Sequence, residues 1–170
     1  MATFIALLRA VNVGGTGKLP MDDLKSMCAD AGFDRIRTYI ASGNVVFDSH
    51  GTAARVQSAL ESRLLEGTGR SIPVLVRTPA EMRAVHAANP FAGAHPGKVY
   101  VFFLANQPAA DATTHVLHRA DEELHAGKRE LYVHYPRGMG QSKLAIPAAR
   151  QGTARNMNTV ARLVAMTGTP

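Results

Sequence analysis

Residues 35–48, RIRTYIASGNVVFD, decide the fold. Two runs rich in β-branched and aromatic side chains, residues 35–40 and 45–48, flank Ser42, Gly43 and Asn44. Small and turn-forming residues between two such runs predict a β-hairpin. On the N-terminal side, Pro20 opens a helix, Asp22 and Asp23 complement its positive end, and Gly32 stops it. Met21, Leu24, Cys28 and Ala31 recur along it at helical spacing. Before it, residues 3–8 are almost wholly apolar, as a strand buried on both faces requires. On the C-terminal side, residues 52–66 carry Val56, Leu60 and Leu64 on one helical stripe, and Gly67 and Gly69 break it. Residues 72–77 read as the next strand. The resulting order, β-α-β-β-α-β, is the split βαβ pattern of ferredoxin-like folds.

The second half is patterned differently. Thr78, Pro79 and Glu81 form a capping box with proline at the first helical position, and Asn89-Pro90 closes that short helix. Residues 98–104 predict a buried strand, residues 111–126 a helix ending at Gly127, and residues 130–135 an alternating strand. A loop rich in Gly and Ser spans residues 136–151, and a last helix starts with Thr153 as N-cap. Its expected apolar stripe is Met157, Val160, Ala161 and Val164. The expectation is an α+β protein: a ferredoxin-like subdomain over residues 1–90 and a smaller α/β subdomain over residues 91–170 that completes the fold, the two closing into one compact domain or staying distinct.

A chain of 170 residues that is 46% hydrophobic can bury a core without staples. Cys28 is the single cysteine, so no internal disulfide forms, which fits a reducing compartment. No window is apolar enough to cross a membrane and the start lacks a basic secretory leader, so a cytoplasmic protein is expected. Nineteen Lys and Arg oppose thirteen Asp and Glu, a net +6. That balance favours an anionic partner: nucleic acid, a nucleotide or a phosphorylated metabolite.

Three segments carry candidate chemistry. Residues 11–18 place a Gly-rich loop between a strand and a helix, as a phosphate loop would. Asn12 stands where a Walker motif needs glycine and Leu19 where it needs a hydroxyl, so no magnesium-dependent NTPase is expected. Backbone N–H groups there, with Lys18, suit an anion. Arg155, Asn156 and Asn158 supply donors at the start of the last helix. Ser142 and Lys143 lie in the loop before it, at a spacing that does not make a Ser-Lys catalytic pair. Ser42 falls outside any nucleophile elbow and reads as a turn residue. His115, His118 and His125 share one face of the expected helix with Asp111 and Glu122. The stripe reads as solvated, and neither a metal nor a cofactor is assigned.

Three stretches together resemble a known family. They are residues 4–15 with Lys18, residues 37–47, and Ser142-Lys143-Leu144 with residues 153–160. They are similar to the bacterial family known as domain of unknown function 1697. The resemblance implies a bacterial cytoplasmic α+β protein with a ferredoxin-like half, and brings no established activity. Where the family usually has tryptophan this chain has Met157, which keeps a packing role better than a base-stacking one. The motif residues are Arg9, Asn12, Gly14, Gly15, Lys18, Ser42, Gly43, Asn44, Ser142, Lys143, Arg155, Asn156 and Asn158. They are mostly donors without carboxylates, which suits phosphate oxygens. The functional expectation is therefore a protein that binds a phosphorylated ligand, a nucleotide or nucleic acid, in a cationic Asn/Gly-rich cleft. The alternatives are an enzyme acting on a phosphorylated small molecule, and a protein–protein interaction module.

Overall fold

The computed structural model describes residues 1–9, 18–40 and 42–168. The chain divides into two units, residues 1–82 with 163–170, and residues 83–162.

The first unit holds β1 (Ala2–Leu8), α1 (Met21–Asp30), β2 (Asp34–Tyr39), β3 (Asn44–Ser49), α2 (Ala53–Thr68) and β4 (Val74–Arg77). This is the β-α-β-β-α-β order read from the sequence. The strands form one antiparallel sheet in the order β2-β3-β1-β4. Register sets Phe4 opposite Phe47 and Ala6 opposite both Val45 and Val76. Pleating sends Phe4, Ala6, Leu8, Val45 and Phe47 to one face, where they join Leu24 and Cys28 of α1 and Val56, Leu60 and Leu64 of α2. Phe33 stacks flat on Phe47 with ring centroids 4.2 Å apart. Both helices end on glycine: Gly32 and Gly69 adopt φ of +88° and +74°, conformations any Cβ would strain. Gly67 lies inside α2 rather than breaking it.

The second unit holds β5 (Val99–Phe103), β6 (Glu123–Ala126), β7 (Glu130–His134) and β8 (Thr153–Asn156) in an antiparallel sheet ordered β6-β7-β5-β8. The boundaries between the units fall within α3 (Pro79–Ala87) and α4 (Met157–Met166). The capping box is present: Thr78 N–H donates to Glu81 Oε1 (2.9 Å) and Glu81 N–H to Thr78 Oγ1 (3.1 Å).

Two expectations for this half are overturned. Residues 111–122 are not helical, and 123–126 are strand β6. The helix fails because its apolar stripe finds nothing to bury: Leu117 is 55% exposed. Its backbone pairs elsewhere, with Leu117 bridging Ala145 and β6 joining β7. Tertiary pairing here outweighs local propensity. Thr153 does not cap a helix but opens β8, whose residues pair with β5 from Phe103 to Tyr100. Helix α4 begins four residues later, and its cap is Asn156, whose Oδ1 accepts from Thr159 N–H at 3.0 Å. Met157, Val160 and Leu163 are buried, whereas Ala161 of the expected stripe is exposed.

Candidate functional site

Among the sequence-selected residues, Asn12, Gly14 and Gly15 lie outside the described residues. Arg9 is half-buried just beyond β1, with its N–H donating to Pro73 O at 3.0 Å, and Lys18 is exposed. Ser42, Gly43 and Asn44 form the hairpin clasp. The fully buried Asn44 donates through Nδ2 to Tyr39 O (2.9 Å) and Ser42 Oγ (3.0 Å). Gly43 sits at φ +90° and its carbonyl accepts from Leu8 N–H at 2.9 Å. The motif thus ties the hairpin to β1.

In the second unit, Arg155 is buried on β8, opposite Val101. Its Nη1 donates to Thr153 Oγ1 (2.6 Å) and Ala154 O (2.9 Å). Burial strips water from the guanidinium and pulls its pKa down to about 10. Asn158 and Lys143 are exposed. Met157 is 4% exposed, in keeping with its packing role. Ser142 Oγ donates to Glu122 Oε2 at 2.5 Å and accepts from Leu144 N–H at 3.1 Å. Its hydroxyl serves Glu122 rather than Lys143.

That pair borders a small recess of about 10 Å³, room for roughly one water, lined by Asp121, Glu122, Tyr135, Arg137, Gly138, Gln141 and Ser142. Glu122 is 3% exposed. Its Oε1 accepts from Ala120 N–H at 2.6 Å, while Arg119 Nε donates to its backbone carbonyl rather than its carboxylate. The Ser142 hydroxyl, then the Ala120 amide, hold the carboxyl below its ordinary range. Tyr135 is 3% exposed; burial first, then the charge on Glu122, pushes its pKa up to about 12, so the phenol keeps its proton. At the rim, Arg137 pairs with Asp121 through Nε at 3.1 Å and Nη2 at 3.5 Å.

Sequence reasoning found Ser142 and missed the rest of this recess. The sequence pattern places Glu122 on the polar face of a helix that does not form, and its partner lies 20 residues away. Tyr135, Arg137 and Gln141 carried no motif. Without the helix the histidine stripe dissolves, and among the described residues no three His, Cys, Asp or Glu side chains gather to hold a metal. Cys28 is buried, which pushes its thiol up to about 12 and keeps it an inert core residue.

Charge is unevenly divided. Residues 83–162 hold ten Lys and Arg against five Asp and Glu, so this unit carries +5 of the net +6. From residue 131 onward there is no acidic side chain, while Arg137, Lys143, Arg150, Arg155 and Arg162 follow one another. All but Arg155 are exposed.

Fold and site thus define an α+β protein of two antiparallel four-stranded sheets with a basic second unit. The chain belongs to the family described as Protein of unknown function (DUF1697), whose model matches residues 1–132. Ser142, Lys143, Arg155, Asn156 and Asn158 therefore lie beyond the matched span. Among solved structures, the conserved bacterial protein SP0830 from Streptococcus pneumoniae is similar, with a TM-score of 0.79 and 24% identity over 97% of this chain and 98% of that one. That likeness is one of fold. No curated protein matches the chain. No helix among the described residues is long and apolar enough to cross a membrane.

Proposed function

We propose that this chain is a cytoplasmic protein that binds a phosphorylated ligand, a nucleotide or nucleic acid, with its first unit ferredoxin-like and its second unit supplying the contacts. The observation that carries this reading is the charge division: the second unit has a surplus of five cations, and its last segment has no carboxylate to repel a phosphate. Lys143, Arg150, Asn158 and Arg162 are exposed there and present charged or amide donors to oxygen. The first turn of α4 likewise lacks acidic residues. An acid–base enzyme is less well supported. The buried carboxylate beside Ser142, Glu122, is held below its ordinary pKa and is thereby a weak base, while Tyr135 is held protonated.

The test is a thermal-shift panel of phosphate, sulfate, ATP and a short oligonucleotide at low and high salt. A ligand at a hundred times its Kd adds about 2.7 kcal/mol of stability. A shift at low salt that shrinks at high salt, and shrinks again in K143Q, is expected. A flat panel with folded protein refutes the reading.

A further inference from the structure

The edge strands of the two sheets are β2, β4, β6 and β8, and three of them carry devices that block further pairing. On β4, Arg9 N–H donates to Pro73 O, and alternation along the ladder from there turns Val74 and Val76 outward. Glu61 Oε2 accepts from the Val74 N–H at 3.0 Å, and Arg77 Nη1 donates to the Val76 carbonyl at 3.2 Å. On β8, the same count from the Tyr135 N–H bond to Lys98 O turns Ala154 outward, and its carbonyl takes Arg155 Nη1 at 2.9 Å. On β2, a bulge interrupts the ladder at Arg35, which sits at φ +49° and whose carbonyl takes Arg37 Nε at 3.0 Å. Natural sheets guard their edges in these ways, because a row of unused N–H and C=O groups is a template for another chain.

Strand β6 has none of these devices. Gly127 N–H donates to Glu130 O at 2.8 Å, and alternation then directs the backbone of His125 and Glu123 to β7 and that of Leu124 and Ala126 outward. The N–H and C=O groups of Leu124 and Ala126 make no hydrogen bond among the described residues. The strand holds no proline or lysine and its register runs without a shift. Glu123, His125 and Ala126 are exposed.

We propose that β6 is the contact strand of a homodimer, pairing antiparallel with β6 of a second copy across a two-fold axis. Its outward groups are self-complementary. Leu124 set opposite Ala126 of the partner subunit, and Ala126 opposite Leu124 of the partner subunit, makes four N–H···O=C bonds and uses every outward group of both residues. The same register places His125 on the axis, facing His125 of the partner subunit in a closely spaced pair without hydrogen bonds. It also brings Glu123 alongside Lys128 of the partner subunit, in the β6–β7 turn, so opposite charges meet at both ends of the contact. A register slipped by two residues would need the Glu122 carbonyl, which already accepts from Arg119 Nε at 2.8 Å. Sequence and ladder together thus favour a second copy of this chain over an unrelated extended peptide.

The test is sedimentation velocity of the full chain across a concentration series reaching the millimolar range. The parent is expected to dimerise as concentration rises. A126P deletes an outward N–H and spares the β7 ladder, a setting in which a strand accepts proline. It removes two of the four bonds across the axis and should weaken dimerisation about tenfold or more. H125K leaves the backbone alone and sets like charges opposite each other, so it should weaken association, whereas H125V should tighten it, each by up to about fivefold. Circular dichroism establishes that the variants fold, and if A126P loses the parent spectrum the two His125 variants decide. A parent that stays monomeric at every concentration, a folded A126P that dimerises as the parent does, or His125 variants that fail to move in opposite directions would each overturn the proposal.

Discussion

Adding one methyl group at Gly152 should destabilise the protein, while the same change at Gly67 should not. A Cβ at Gly152 would lie 2.5 Å from the carbonyl oxygen of Phe103 and 2.8 Å from Leu104 Cδ2. Phe103 O is backbone, in the strand residue that pairs with Thr153, so relief requires β5 and β8 to move apart. Overpacking of that kind costs about 1–3 kcal/mol. A Cβ at Gly67 would lie 2.4 Å from Met27 Cε, a nominally worse clash. That atom is the end of a flexible thioether side chain, which can turn aside at little cost. Gly67 also sits inside α2, where alanine is favoured over glycine by roughly 0.5–1 kcal/mol. G67A should therefore be neutral or slightly stabilising. Urea denaturation followed by circular dichroism measures both. If G152A keeps the parent midpoint, or G67A falls as far as G152A, the account of which close approaches are rigid is wrong.

Other expectations follow from the same geometry. N156A removes the cap of α4 and should cost about 1 kcal/mol, whereas N156D, which keeps the accepting oxygen, should retain most of it; unfolding midpoints for both decide this. Glu122 has a folded pKa below its unfolded value near 4.3, so its ionisation stabilises the fold above about that pH and the contribution is lost as acid protonates it. S142A removes the largest cause of that shift. The stability gap between parent and S142A should therefore be widest near neutrality and narrow in acid, and a gap independent of pH would contradict the assignment.

The first unit was legible because its signals are local. The hairpin triplet, the stops at Gly32 and Gly69 and the capping box at Thr78 each act within a few residues and stand where the sequence reading expects them, while Gly67, expected to break α2, lies inside it. The second unit was misread where structure depends on distant partners. β6 and β8 are four-residue edge strands whose identity comes from pairing with β7 and β5, and a helical-looking period over residues 111–126 had no surface to pack against. The site followed the same rule. Ser142 was visible, but the carboxylate it holds was not, because the contact joins two loops rather than two positions on one element. The charge division was hidden for a similar reason: the surplus looks evenly spread until the unit boundaries are known.

The most direct test of the central claim is a salt titration of nucleic-acid binding. A fluorescein-labelled single-stranded oligonucleotide is titrated with the full chain, and with a K143Q/R150Q/R162Q variant, across a range of salt concentrations. The account predicts saturable binding whose logarithm falls linearly with the logarithm of salt, by about 0.7 per neutralised phosphate, with a shallower slope in the variant. No binding at low salt, or the same slope in parent and variant, would contradict it.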